Sequence, residues 1–257
     1  AGRGILLKAF IGFFRMDLYR FIKKIYWLAG ILGVTFFLFF SLETRGFING
    51  NVVRTYLFST AMSGHLAIYS FCAYSFAPVF GEDLEHRYIR SSIIRGDLRA
   101  YVLSKSLVIY LSSILVMLAG TLLFLFLCRT QVPWVDWNAD SYGTETRSYG
   151  SLLEKDRPLA YCMLYALHMG LLAGMLSLFS AFCSVFITNR TLVLILPAFM
   201  MLLLALLPYG SHNIFIFYAN GRHFPKDWQN LLFVFLLSAV PSALLGAGIY
   251  HGLKKKL

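Results

Sequence analysis

Residues 101–128 read YVLSKSLVIYLSSILVMLAGTLLFLFLC, and beyond Lys105 this stretch has no charged residue. A helix needs about 20 mostly apolar residues to cross the hydrocarbon core of a bilayer. The stretch exceeds that length, so we predict that it forms a membrane-spanning helix.

Five further stretches have a similar character, and the whole chain is 58% hydrophobic and only 14% charged. A soluble domain is about one quarter charged and could not hide this much apolar surface. We therefore predict a single all-α transmembrane domain over residues 1–257, a polytopic membrane protein with six spans. The predicted spans are 25–42, 54–80, 101–128, 159–187, 191–208 and 229–250.

The distribution of basic residues predicts the orientation of these spans. Of the 23 Lys and Arg residues, 15 fall on the side that carries both termini. The positive-inside rule then places both termini in the cytoplasm of a multi-pass protein of the cell membrane, with 129–158 and 209–228 as extracellular loops. The net charge of +11 does not indicate nucleic-acid binding, because the basic residues lie between long apolar runs.

Residues 1–24 are predicted to form an amphipathic helix in the membrane interface, with the bilayer as its partner. Several apolar residues fall on one side at helical spacing: Leu7, Phe10, Ile11, Phe14, Leu18, Phe21 and Ile22. Basic residues that could anchor the helix at anionic headgroups are Lys8, Arg15, Arg20, Lys23 and Lys24. The alternative is a simple continuation of the first span.

The cytoplasmic segment 81–100, between the second and third spans, is the most informative loop. Residues 81–105 hold four acidic and five basic side chains, yet isoleucines stand in the middle at helical spacing. We predict a short helix that Gly96 ends, with Asp97 capping the helix that follows. The helix would present a docking surface to a partner protein, made of Glu82, Asp83, Glu85, Arg87, Ile89, Arg90, Ile93, Ile94 and Arg95. A helix that rests on headgroups is the alternative.

The order of features around this loop carries a family resemblance. An interfacial helix and two spans are followed by an acidic turn (Glu82, Asp83 and Glu85) and a short helix (Ile89 to Arg95). The residues Arg99, Tyr101, Ser104 and Lys105 come next. The chain thereby resembles the membrane (permease) subunit of an ABC-2-type ATP-binding-cassette transporter, in which a stretch similar to R-x-x-Y-x-x-S-K opens the third span. Arg99 and Tyr101 stand closer together here than in that pattern.

The resemblance implies an export path formed with a second permease subunit, either an identical or a similar chain. Because the spans offer few charges to hold an ion, we expect an amphipathic or hydrophobic cargo, namely a peptide, a lipid-like molecule or a drug. A cytoplasmic ABC ATPase subunit would drive it, docked on the short helix. The chain has no G-x-x-x-x-G-K-[ST] phosphate loop. We therefore expect no enzyme activity and no cofactor in this chain itself, with ATP and Mg on the partner ATPase.

An intramembrane protease is the alternative function. Glu82, Asp83 and Arg87 have the spacing of the E-E-x-x-x-R motif of prenyl-protein endopeptidase relatives, with Asp in second place. Paired acids can activate water as a general base, in metal- or glutamate-dependent enzymes of this kind. These acids, however, head a charged cytoplasmic segment rather than lying inside a helical bundle.

Few other residues suggest chemistry. His65 and His168 lie well inside predicted spans, where they could touch a substrate or hydrogen-bond between helices. No C-x-x-C is present, and we predict no metal site. Cys128 and Cys162 both fall near the outer ends of predicted helices, so a disulfide between them is open only in an oxidising exterior.

Overall fold

The structure is a computed structural model that describes residues 2–42, 50–61, 66–89, 97–136, 147–187, 189–206, 217, 224 and 226–256. Side chains are described from residue 7 onward, without that of residue 205. Within these ranges the chain is all-helical and has no β-strand, as predicted.

Ten helices are seen in the described ranges. The first five are α1 (Gly2–Lys23), α2 (Tyr26–Phe40), α3 (Val52–Ala61), α4 (Leu66–Tyr74) and α5 (Val79–Glu85). The other five are α6 (Leu98–Arg129), α7 (Gly150–Glu154), α8 (Pro158–Ser184), α9 (Arg190–Ala205) and α10 (Asp227–Lys256).

Three of these helices, α6, α8 and α10, are long and apolar enough to cross a membrane. A fourth candidate arises if α1 and α2, which meet at a bend of 61°, count as one span. These apolar helices are the mark of a membrane-embedded protein. The structure therefore agrees with membrane embedding, and the predicted number of six spans stays a prediction.

The shorter predicted spans differ from the helices observed. Helices α3 and α4 lie along predicted span 54–80, and residues 62–65 between them are outside the described residues. Helices α2 and α9 have 15 and 16 residues, which gives lengths of about 22 to 24 Å against a hydrocarbon core of about 30 Å. Helices α2 and α9 are thus shorter than the hydrocarbon core is thick.

Helix α8 is the centre of the bundle, packed between α6 and α10. In the most apolar 18-residue stretch of each helix, the buried share is 72% for α8, 56% for α6 and 22% for α10. A Cβ at Gly174 would lie 2.7 Å from the Tyr110 ring, and one at Gly170 would lie 3.4 Å from the Ile114 backbone. The G-x-x-x-G pair on α8 therefore receives the side chains of α6 at close range.

The two ends of the bundle have different chemistry. At one end, short contacts join the loops: Val52 donates its N–H to the Pro133 carbonyl, and Asp227 accepts hydrogen bonds from the Tyr149 N–H and the Ser151 hydroxyl. The other end holds the N-terminus of α6 and the C-termini of α1, α8 and α10, and it is rich in charge. We call it the charged end.

Replacing Gly174 by alanine tests the close approach of α6 and α8. The added methyl group would meet the Tyr110 ring, and overpacking of this kind costs about 1 to 3 kcal/mol. We expect a lower apparent melting temperature for Gly174→Ala in mild detergent, followed by tryptophan fluorescence.

Gly12→Ala is the matched control, because a Cβ at Gly12 has no atom within 4 Å and alanine favours the helix. Equal melting temperatures for the two variants would contradict the packing described here.

Candidate functional site

The acidic turn after α4 forms the centre of the charged end. Pro78 precedes α5, and the buried Val79 and Phe80 hold this short helix on the bundle. A Cβ at Gly81 would lie 3.1 Å from the Ser184 carbonyl oxygen, so glycine allows α5 to approach the end of α8. Glu82 and Asp83 are thereby carried inward rather than into solvent.

Asp83 is bound from two other helices. Arg20 of α1 donates from both terminal nitrogens to its carboxylate, at 3.0 and 3.3 Å. Lys105 Nζ of α6 lies 2.9 Å from the same carboxylate, and the Tyr101 hydroxyl donates to it at 2.7 Å. Asp83 is 1% exposed, so these donors replace the water that a free carboxylate would need.

A second buried carboxylate completes the arrangement. Asp17 of α1 accepts from Lys105 Nζ at 2.9 Å and from the Ser104 hydroxyl at 2.7 Å. The side chains of Asp17 and Lys105 are both fully buried. Lys105 therefore bridges two carboxylates that lie on different helices.

Charge is balanced inside this cluster. Asp17 and Asp83 supply two negative charges, and Arg20 and Lys105 supply two positive charges. Balance matters because an unpaired charge in a low-dielectric interior costs several kcal/mol. We call these four residues, with Tyr101 and Ser104, the buried ion cluster.

Helical spacing explains how each helix presents its part. On α6 the contributing residues Tyr101, Ser104 and Lys105 stand at i, i+3 and i+4, which places them on one face. Asp17 and Arg20 of α1 and Lys24 directly after it stand at i, i+3 and i+7. Two helices with regular charged faces thus meet the acidic turn from either side.

A more exposed pair extends the cluster to a further helix. Lys24 Nζ lies 2.8 Å from Glu82, and Arg190 at the start of α9 lies 3.4 Å from the other oxygen of the same carboxylate. The Lys24, Glu82 and Arg190 side chains are 20% to 42% exposed, so these pairs contribute less than the buried ones. Their main effect is to connect α9 to the acidic turn.

The pKa of Asp83 is lowered below its ordinary value. Burial alone would raise the pKa, but the nearby Lys105 ammonium and the hydrogen bonds from Arg20 and Tyr101 outweigh the burial. The carboxyl group is therefore held ionised.

The predicted docking residues fall into different environments. Glu85 and Arg87 are exposed, whereas Asp83 belongs to the buried ion cluster and Glu82 is ion-paired beside it. Ile89 is 1% exposed, so it packs in the chain's own core and offers no surface to a partner in this structure. Arg90, Ile93, Ile94 and Arg95 lie outside the described residues, as does Gly96. Asp97 caps α6 by accepting from the Arg99 N–H at 3.1 Å, as predicted.

The predicted interface anchors on α1 also divide into two groups. Lys8, Arg15 and Lys23 are exposed and free to meet headgroups. Arg20 and Lys24 instead bind the acidic turn. Part of the predicted apolar side is exposed, namely Leu7, Ile11, Leu18 and Ile22, while Phe21 is buried. Helix α1 therefore shows an apolar surface outward and an ionic surface to the bundle.

The remaining predicted residues lie away from the cluster. His65 is outside the described residues. His168 of α8 is buried, and its Nε2 lies 2.7 Å from the Tyr149 hydroxyl near the opposite end of the bundle. Cys128 and Cys162 are buried free thiols. Within the ranges that the structure covers, no group of three His, Cys, Asp or Glu side chains could hold a metal ion.

No known protein family, curated protein or solved structure matches the chain. The geometry of the charged end is therefore the guide to function.

Replacing Lys105 by methionine tests the buried ion cluster. Asp17 and Asp83 would remain buried without their shared ammonium, and losing one partner of a buried pair costs about 3 to 5 kcal/mol. We expect a large loss of thermal stability in detergent for Lys105→Met. Adding Asp17→Asn should recover part of the loss, because it restores the charge balance.

Lys23→Met serves as the control, because it removes an exposed lysine at the end of α1 that lies outside the buried ion cluster. A double variant that is less stable than Lys105→Met alone would contradict the shared-charge arrangement.

The pH dependence of stability tests the state of Asp83. Its pKa is lower in the folded chain, so its stabilising contribution is complete above the unfolded value of about 3.9 and is lost as pH falls through the folded value. We expect Asp83→Asn to be clearly less stable than the parent at pH 7, and the difference to shrink below about pH 4. Thermal melts of both proteins from pH 3 to 8 measure this. A difference independent of pH would show that Asp83 contributes by shape alone.

Proposed function

We propose that the chain is the permease subunit of an ABC-2-type exporter in the cell membrane, with six spans and both termini in the cytoplasm. The proposal rests on the resemblance of its loop residues and on the physical character of the charged end. Lysines and arginines concentrate there, as expected for a cytoplasmic face.

The observation that carries the proposal is the set of ion pairs between the acidic turn and three helices. Glu82 and Asp83 bind α1 through Arg20 and Lys24, α6 through Lys105, and α9 through Arg190. A coupling element must transmit a movement of the partner protein to several helices of the permease at once. The Asp83–Lys105 pair is suited to this because it is buried and costly to break, and the more exposed Glu82 pairs extend the connection to α9.

The surface beside the turn gives a partner something to bind. Four consecutive residues are exposed there, namely Glu85, His86, Arg87 and Tyr88. The Tyr88 side chain is 56% exposed. Arg87 has a left-handed backbone, with φ of 57°, which ends the turn of α5 and redirects the chain. A cytoplasmic ABC ATPase that docked on these residues would lie next to the acidic turn, so its movement could displace that turn.

The membrane side of the proposal concerns the cargo path and a second permease subunit. Helix α10 exposes a run of large apolar residues, namely Trp228, Leu232, Phe235, Leu236, Leu237, Val240 and Leu244. Such a surface suits lipid or another apolar helix. If α10 also borders the cargo path, this apolar surface suits an amphipathic or hydrophobic cargo better than an ion.

The protease alternative has less physical support. The Asp83 carboxylate already accepts from Arg20, Lys105 and Tyr101, and its lowered pKa makes it a weak base. A general base for water activation works best with a pKa near the working pH. Glu82 is likewise paired, with Lys24 and Arg190.

A pull-down of the tagged full chain from mild detergent tests the proposed function. We expect a co-purifying protein with a phosphate-loop motif, identified by mass spectrometry, and ATPase activity in the eluate. Charge reversal at the exposed pair, Glu85→Lys with Arg87→Glu, should reduce the co-purified ATPase at least several-fold.

The matched control is the reversal Glu154→Lys with Arg157→Glu, an exposed pair near the opposite end of the bundle. It should leave the co-purified ATPase unchanged. A chain that elutes alone, folded and without ATPase activity, overturns the exporter proposal. Equal loss in both double variants would overturn the docking surface.

A further inference from the structure

A cavity of about 650 Å³ opens between α6 and α10 near the charged end. Its α6 wall runs from Arg99 through Leu103 and Ser106 to Tyr110. At 1.5 Å of rise per residue that wall is about 16 Å long. The cavity is therefore an elongated trough that follows the helix axes.

Small residues on one helix create the space. The α10 wall consists mainly of Ala239, Ser242, Ala243, Gly246 and Ala247, which recur every three or four residues along one face. The nearest atom to a Cβ built on Gly246 is the Ser106 Oγ, at 3.8 Å. A larger side chain at this position would therefore enter the trough without a backbone clash.

The walls are apolar except for a few hydroxyl groups. The Tyr110 and Ser238 hydroxyls lie 2.7 Å apart, and Ser238 donates to the Leu171 carbonyl. Ser106 differs, because it is 9% exposed and its Oγ has no hydrogen-bond partner. A buried hydroxyl without a partner costs about 1 to 3 kcal/mol, so its presence in the wall points to a ligand with an acceptor or donor at that depth.

The mouth of the trough is cationic. Arg99 lies over the Tyr250 ring at 5.8 Å, and His251 is exposed beside it. Lys254 and Lys255 follow one turn later on α10 and are exposed. Asp97 is the acidic residue closest in sequence to Arg99, and its carboxylate caps the α6 backbone. The local balance is positive.

Charge favours a lipid over a protein helix as the occupant, because the exposed Arg99, Lys254 and Lys255 at the mouth complement an anionic headgroup. A helix with its side chains is about 10 Å across. An acyl chain is much thinner and can lie along such a groove. Basic pockets between membrane helices bind the headgroups of anionic lipids.

We infer that this trough binds one anionic phospholipid, with its phosphate at Arg99 and an acyl chain along Ser106, Tyr110 and the small residues of α10. The ester region of the lipid would lie below the phosphate and reach the Ser106 hydroxyl. The site requires only that the chain be embedded in a membrane, so it stands apart from the ATPase partnership.

Native mass spectrometry of the purified full chain, titrated with dioleoyl-phosphatidylglycerol or dioleoyl-phosphatidylcholine, tests this inference. We expect one phosphatidylglycerol to bind in clear preference to phosphatidylcholine. Arg99→Gln should weaken phosphatidylglycerol binding about five-fold, the effect of one basic residue at a lipid surface. Gly246→Leu should abolish the tight site by filling the trough.

Two controls match these variants. Arg129→Gln removes an exposed arginine at the opposite end of the same α6 helix, and Gly12→Leu adds a leucine where a Cβ meets no atom within 4 Å. Neither should change phosphatidylglycerol binding. Ala243→Leu fills the same trough from a neighbouring turn and replaces Gly246→Leu if that protein does not fold.

Two results would overturn the inference. One is equal affinity for the two lipids, and the other is unchanged phosphatidylglycerol binding in a folded Gly246→Leu or Ala243→Leu protein. If those variants also change from dimer to monomer, the trough is assigned to a second copy of the chain.

Discussion

The buried ammonium of Lys105 is the constraint on which the charged end depends. It lies 2.9 Å from both Asp17 and Asp83, and all three side chains are nearly or fully removed from solvent. None of these charges could be buried alone at acceptable cost. Helix α1, the acidic turn and the start of α6 must therefore come together as one unit or remain apart.

Apolar packing alone would not specify this arrangement. Apolar helices can slide and rotate against one another at a small cost in free energy, because lipid is as apolar as their side chains. The bidentate contact between Arg20 and Asp83 and the hydrogen bond from Tyr101 fix both position and rotation. The glycines of α8 then set the depth at which α6 packs.

Much of the helical framework could be predicted from hydropathy and capping, but the ion cluster could not. Prediction placed a helix at 101–128, close to α6, and identified Asp97 as its cap. From the sequence, Lys105 is assigned only to the stretch that opens the third span, and Asp17 is assigned no role. Their sequence separation is 88 residues, and one sequence holds no signal for such a pairing. The regular spacing of Asp17, Arg20 and Lys24 indicates an ionic face, but it does not show which residues that face binds.

The bend of 61° between α1 and α2 has a consequence for biogenesis. During synthesis α1 and α2 leave the ribosome before Lys105 does, so Asp17 then lacks its ion pair with Lys105 and has only Arg20 of its own helix nearby. The final position of α1 against the bundle is therefore fixed only once the start of α6 has been made.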